Sequence, residues 1–413
     1  MSSGLRNYGI VTAGYWAFTL TDGAIRMLVV LYFHQLGFGA LDIALLFLFY
    51  ELFGVITNLL GGWLGTCIGL NRIMQIGMVL QLLALMLLSV PAGLLSVAYV
   101  MAVQALSGIA KDLNKMSAKA SVKQLIPKAE ESRLLRWVAI LTGSKNALKG
   151  AGFFLGAILL KLVGFQGALW TLASMLFSVF LTVWWLLPPS TGQASTKPAF
   201  KTLLSNTPAI NILSAARFFL FGSRDVWFVV ALPVSLVGLG YSQSVIGASM
   251  ALWIMGYGAI QVIAPMVLQR HGHLPAGSSA TRWSGLLFLL PTGMAIALTL
   301  NIPPASVLFV GLSLFAIVFA INSALHSYLV LWYANSDRVA MDVGFYYMAN
   351  AAGRLVGTVL SGALYQWYGL VACLWCSALM VLLASLVSSK LPESTDSKLA
   401  PSANNNNKDL SVE

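Results

Sequence analysis

Twelve apolar runs recur along the chain, each of about 20 residues or more and so long enough to cross the roughly 30 Å hydrocarbon core of a bilayer as a helix. They fall at residues 8–36, 41–67, 72–91, 95–123, 134–162 and 167–187, then at 208–238, 243–269, 282–301, 304–333, 341–367 and 369–389. That spacing leaves no room for a separate globular catalytic domain, so the function resides inside the bundle. Composition agrees: only 9% of the 413 residues are charged and 58% are hydrophobic. A soluble domain carries about 25% charged residues, so a soluble enzyme is excluded. The predicted fold class is an all-α membrane protein with twelve transmembrane helices in the lipid bilayer. The first run is too long for the apolar region of a removable signal peptide and lacks its small-residue cleavage site, so it reads as the first span.

Residues 188–207 are rich in Pro, Ser, Thr and Gly and carry Lys197 and Lys201, the composition of a linker. They divide the chain into a six-helix half at 1–187 and another at 208–389. From residue 390 the chain is polar, with four asparagines at 404–407, and a disordered cytoplasmic tail is predicted over 390–413. Alternate loops hold Arg72; Lys128, Arg133 and Arg136; Lys197 and Lys201; Arg270 and Arg282; and Arg338. The opposite loops are nearly bare of Lys and Arg, which puts both termini in the cytoplasm. An internal repeat supports the division. Sliding the first span by 203 residues sets Phe18 on Phe221, Asp22 on Asp225 and Gly37-Phe38 on Gly240-Tyr241, while an offset of 205 sets Lys149 and Gly152 on Arg354 and Gly357. Two nearly equal offsets point to duplicated halves and hence to a secondary transporter.

The formal charge of +11 would suit a nucleic-acid or anionic-lipid partner, but much of it lies deep in the apolar runs and serves an interior; no nucleic acid is expected. Within the spans stand the cations Arg26, Lys111, Lys115, Lys145, Lys149, Arg217, Arg224 and Arg354 and the acids Asp22, Glu51, Asp112 and Asp225. Each mid-membrane cation costs about 2.5–3.5 kcal/mol to insert, so the excess needs a purpose. Helical spacing gathers these groups into stripes: Tyr15, Thr19, Asp22 and Arg26; Gln104, Gly108, Lys111, Lys115 and Lys119; Thr142, Lys145, Lys149, Gly152 and Gly156; and Arg217, Phe221 and Arg224. Four cationic faces imply one polar cavity.

The acids are open to two roles. Asp22 and Arg26, spaced i and i+4, can neutralise one another, and Arg224 with Asp225 or Lys111 with Asp112 can find partners on adjacent helices; equally, Asp22, Glu51, Asp112 and Asp225 can couple transport to protons. Pairing absorbs four cations and leaves about four that need water or an anionic guest. Arg26, Lys111, Lys115, Lys145, Lys149, Arg217 and Arg224 are therefore the candidate substrate-binding set. Lys119 and Lys123 approach the cytoplasmic end and read as snorkelling into headgroups. Cys373 and Cys376 have C-x-x-C spacing in an apolar span without further ligands, so packing is expected there. His271 and His273 lie in a loop without a third ligand; His34 and His326 suit either proton carriage or a hydrogen-bonded core. Gly152-x-x-x-Gly156 and Gly353-x-x-x-Gly357 read as close helix contacts. The spans hold no catalytic constellation or metal-ligand cluster, and no cofactor is expected.

Twelve spans in two halves around a central linker resemble the major facilitator superfamily. Of its loop signature G-x-L-x-D-x-x-G after the second span, Gly62, Leu64, Gly69 and the following Arg72 match, and Thr66 occupies the Asp position. Segments 15–37 (YWAFTLTDGAIRMLVVLYFHQLG), 104–123 (QALSGIAKDLNKMSAKASVK), 138–156 (VAILTGSKNALKGAGFFLG) and 214–233 (SAARFFLFGSRDVWFVVALP) resemble the organoarsenical efflux permeases of the ArsJ type, and the likeness runs from about residue 7 to 390. The resemblance implies a bacterial inner-membrane exporter of 1-arseno-3-phosphoglycerate, the labile product made when glyceraldehyde-3-phosphate dehydrogenase takes arsenate in place of phosphate. Its breakdown outside the cell would confer arsenate resistance. It also implies that the first, fourth, seventh and tenth spans line the cavity. An alternative within the superfamily is an organophosphate/phosphate exchanger, which likewise places an Arg on the first and seventh spans, here Arg26 and Arg224.

Overall fold

The computed structural model describes residues 3–37, 46–125, 131–187, 207–269 and 275–393. Among these, the regular elements are helices: α1 (Ser3–Gln35), α2 (Leu48–Ile68), α3 (Leu70–Leu88), α4 (Val97–Leu125), α5 (Glu131–Leu186), α6 (Pro208–Phe228), α7 (Ala231–Gly238), α8 (Gln243–Leu268), α9 (Gly277–Thr299), α10 (Pro304–Tyr333) and α11 (Val339–Ser388), with a 3-10 turn at Ala92–Leu94. Linker residues 188–206, including Lys197 and Lys201, the loop residues Lys128, Arg270, His271 and His273, and positions 394–413 lie outside the described residues.

Two helices are double-length. At 1.5 Å per residue α5 and α11 would run about 75–85 Å if straight, more than twice a hydrocarbon core. Each bends back at one glycine, Gly164 (φ 70°) in α5 and Gly369 (φ 75°) in α11. A side chain is disfavoured at such φ, so Gly is the residue that permits the turn. These glycines are related by the same 205-residue offset as Lys149 and Arg354, and Gly37 (φ 88°) and Gly240 (φ 85°) by the 203-residue offset. The repeat read from side chains is thus also a repeat of backbone turns.

Nine stretches among the described residues are long and apolar enough to cross a membrane. Helix α4 is not among them, because the polar and charged residues of its inner face lower its hydropathy, yet Asp112, Asn114, Lys115, Ser117 and Lys119 are buried within the bundle. With the double-length helices counted twice and α4 added, the twelve expected crossings are present. The seventh is broken at Val229–Val230 into α6 and α7. Pro233 lacks an amide hydrogen and its ring crowds the carbonyl four residues back, which interrupts the helix there. The amide of Ala231 donates instead to Ser361 Oγ at 3.2 Å, restoring a partner that the bilayer cannot supply.

Small residues set the helix spacing. A Cβ on Gly152 would meet the Leu20 carbonyl oxygen at 2.5 Å, and one on Gly156 that of Ala24 at 2.4 Å. In the other half Gly353 faces Phe218 O at 2.1 Å and Gly357 faces Gly222 O at 2.5 Å. The x-x-x-spaced glycines are therefore the contact faces of α5 on α1 and of α11 on α6. Between the halves, Gly62 on α2 abuts Gly344 and Ala340 on α11, and Gly143 on α5 abuts Gly258 on α8. Thr66, at the Asp position of the loop signature, is buried and donates to its own helix at Gly62 O, 3.1 Å away.

At the end of the bundle that carries the basic loops the two halves are laced together. Gln124 donates to Ser336 O at 2.8 Å and Gln269 to Ser132 O at 3.4 Å, and Lys123 donates to the carbonyls of Leu331 and Ala334 at the end of α10. Lys123 thus closes a helix terminus and does not snorkel. The beginning of the expected tail is also ordered: Leu391 is buried, and the Glu393 carboxylate accepts from the Ser278 amide (2.9 Å) and hydroxyl (3.1 Å) at the start of α9. A carboxylate there satisfies amides that the first helical turn leaves without partners.

Candidate functional site

Between the halves lies a cavity of about 290 Å³ into which nearly all of the sequence-derived charges project. Its wall includes Asp22 and Arg26 from α1, Glu51 from α2, Lys111, Asp112, Lys115 and Lys119 from α4, Lys145 and Lys149 from α5, Arg217 and Arg224 from α6, and Arg354 from α11. The stripes of periodicity converge as expected because each helix turns its one polar face away from lipid. The lining helices differ in part from the expected set. The tenth span contributes Ser323, whereas the eleventh contributes Tyr347, Asn350 and Arg354. Spacing of three and four along α11 marks that face in the sequence, but only Arg354 there is charged.

The carboxylates divide the cations. Glu51 takes Arg26 at 2.7 Å and holds Lys111 and Arg354 each at 3.6 Å, so one carboxylate joins charges of both halves. Asp112 pairs with Lys115, one helical turn on, and with Lys111 at 3.6 Å. Asp225, fully buried, holds Arg224 at 2.5 Å and Arg354 at 3.0 Å. The pairing proposed for Asp22 and Arg26 is replaced: Asp22 accepts from the Tyr50 hydroxyl, and Arg26 turns to Glu51 while its guanidinium lies 4.0 Å from the Tyr50 ring centre. Tyr50 thus separates the two by binding both. Lys111 also sits 3.9 Å from that ring.

Four further cations have no carboxylate within ion-pair distance among the described residues: Lys119, Lys145, Lys149 and Arg217. Arg217 is buried and relies on neutral acceptors, Asn350 Oδ1 at 2.9 Å and the carbonyl and hydroxyl of Ser323 at 3.4 Å, with its face 3.8 Å from the Phe221 ring centre. Lys119 is buried and donates to the Tyr347 hydroxyl at 2.6 Å. It is an interior residue, not the snorkelling one its place near the helix end suggests, because α11 of the other half covers it. The sequence signal for it was present: Lys119 continues the stripe of Lys111 and Lys115.

Outside the cavity, Cys373 is buried with its sulfur 3.8 Å from the Ser361 carbonyl oxygen, in the packed interior of the second half. His326 is buried on α10. The interior thus holds nine cations against four acids, and unneutralised charge at this depth gains most from a guest of opposite sign.

The family model described as Major Facilitator Superfamily matches residues 11–321. Similar solved structures include the human organic anion transporter MFSD10 (TETRAN), 17% identical with a TM-score of 0.73, covering 93% of this chain and 99% of that one. The proton:xylose symporter XylE is 14% identical at a TM-score of 0.76, over 95% of this chain and 96% of that one. A bacterial homologue of the iron transporter ferroportin, in an outward-facing state, is 16% identical at 0.75, over 94% and 99%. No curated protein sequence matches the chain.

Proposed function

Because the chain belongs to the major facilitator superfamily, a family of multi-pass membrane carriers of small solutes, we propose that it exports a phosphorylated organoarsenical anion, 1-arseno-3-phosphoglycerate, by alternating access. The observation that carries the anion is the cavity between the halves, lined by nine cations and three acids, with Asp225 buried against Arg224 and Arg354. The likeness of segments 15–37, 104–123, 138–156 and 214–233 to ArsJ-type permeases supplies the arsenical; each of these segments holds one of the cavity's cationic stripes. In this reading the protein sits in a bacterial inner membrane with both termini cytoplasmic, moves its substrate unchanged, and depends on glyceraldehyde-3-phosphate dehydrogenase to make it. An inside-negative potential favours anion export by about 2.3 kcal/mol per charge per 100 mV, so a multiply charged guest has a driving force without protons.

The test uses everted vesicles given arsenate, glyceraldehyde-3-phosphate, NAD and the dehydrogenase. Arsenic should accumulate inside only with the complete mixture and only in vesicles carrying the protein. Accumulation from arsenate alone at a comparable rate would make the protein an inorganic oxyanion carrier. The exchanger alternative predicts 3-phosphoglycerate uptake that requires phosphate on the opposite side.

A further inference from the structure

The cavity's cations fall into two classes. Arg26, Lys111, Lys115, Arg224 and Arg354 each already hold a carboxylate, whereas Lys119, Lys145, Lys149 and Arg217 hold none among the described residues. A paired cation must give up or share its carboxylate before it can serve a guest, which offsets much of the gain; an unpaired buried cation gains in full. Lys119 comes from the first half and Arg217 from the second, and they meet over adjacent tyrosines of α11. The Lys119 ammonium is 2.6 Å from the Tyr347 hydroxyl, the Arg217 guanidinium is 5.1 Å from the Tyr346 ring centre, and the two rings are 5.0 Å apart. Lys145 and Lys149 stand one turn apart on a different helix, α5, and also line the cavity.

We propose that Lys119 and Arg217 form one oxyanion subsite of the carrier, at the end where the halves are laced together, and that Lys145 and Lys149 form a second subsite for the other end of a two-ended guest. This rests on the anion-carrier reading above and assigns its contacts. Arg217 contributes a planar donor array that matches a phosphate or arsenate edge, and Lys119 a point charge. An oxyanion held between them is bound to both halves at once, so its occupancy strengthens the closed end, and its release accompanies the parting of α4 from α11. Glu51, Asp112 and Asp225 keep the remaining five cations in place and limit the charge the guest must supply.

Binding of inorganic phosphate and of 3-phosphoglycerate to the purified full-length protein in nanodiscs, measured by calorimetry, tests this. Lys119→Gln and Arg217→Gln should each weaken phosphate binding at least tenfold. Arg217→Lys should recover part of that loss, which a packing role would not produce. The double variant Lys145→Gln/Lys149→Gln should lower the preference for 3-phosphoglycerate over phosphate at least tenfold. Lys111→Gln should cost less than either Lys119→Gln or Arg217→Gln, and ligand-free thermal transitions identify any variant that fails to fold, for which Lys119→Arg and Arg217→Lys serve in its place. A cost at Lys111 equal to or greater than that at Lys119 and Arg217 overturns the assignment while leaving anion transport standing. Wild-type protein that binds neither probe overturns both. The expected binding pattern without transport of the arseno-ester overturns the substrate and keeps the subsites.

Discussion

Asp225→Asn removes a carboxylate that holds two guanidinium groups, Arg224 at 2.5 Å and Arg354 at 3.0 Å, while itself fully buried. At an effective dielectric constant of about 20, unit charges 3 Å apart attract by about 5–6 kcal/mol, and breaking a buried pair on one side costs about 3–5 kcal/mol after relaxation. The two partners do not contribute equally. The Arg354 side chain is 37% exposed and regains much of its loss from water and from Glu51, whereas that of Arg224 is 14% exposed and does not. Most of the cost therefore arises from an uncompensated Arg224, and the lower part of the range, about 3 kcal/mol, is expected. Asparagine keeps the shape, so packing is not at issue. Unfolding would be followed by titration with denaturing detergent in mixed micelles, for Asp225→Asn, Arg224→Gln and the double variant. Adding Arg224→Gln to Asp225→Asn should restore more than half of the lost stability, since the stranded charge goes with it. Stability of Asp225→Asn within about 0.5 kcal/mol of wild type, or a simple sum of losses in the double variant, would refute the argument that pairing is what this acid does.

Three further outcomes follow from the packing. Gly353→Ala would set a methyl 2.1 Å from the Phe218 carbonyl oxygen, forcing α6 and α11 apart, and should cost about 1–3 kcal/mol by the same titration; Gly362→Ala, with nothing within 4 Å, should cost nothing measurable. Cysteines placed at Gln124 and Ser336, whose side chain and carbonyl meet at 2.8 Å across the halves, should crosslink under mild oxidation in a background lacking Cys67, Cys373 and Cys376, and abolish transport until reduced. Full transport by the crosslinked protein would show that this end need not open. Ser361→Ala leaves the Ala231 amide at the break in the seventh span without its partner and should destabilise by about 1–3 kcal/mol; equal stability would mean that the break is satisfied otherwise.

The spans were legible because apolar length is a property of consecutive residues: the 208–238 run ends where α7 ends, and 304–333 coincides with α10. The bends in α5 and α11 were legible as boundaries between runs, at 162–167 and 367–369. In the cavity, periodicity placed Lys111, Lys115, Lys145 and Lys149 on the correct faces, since a charged stripe has only one place to go in a lipid-facing bundle. Partners were another matter. Asp22 and Arg26 have ideal spacing for an ion pair, yet Tyr50 and Glu51 of the neighbouring helix take them separately.

By itself the sequence determined that the chain crosses a membrane many times, that its halves repeat, and that an excess of positive charge faces inward. All three depend on composition and spacing along one strand of chain. Only the tertiary structure decided which cations are neutralised and which are left for a guest. Pairing depends on what another helix presents within about 4 Å; Lys119 ends in the interior under Tyr347, and Arg217 rests on Asn350, because α11, more than 200 residues from α4 and over 100 from α6 in the chain, folds across both.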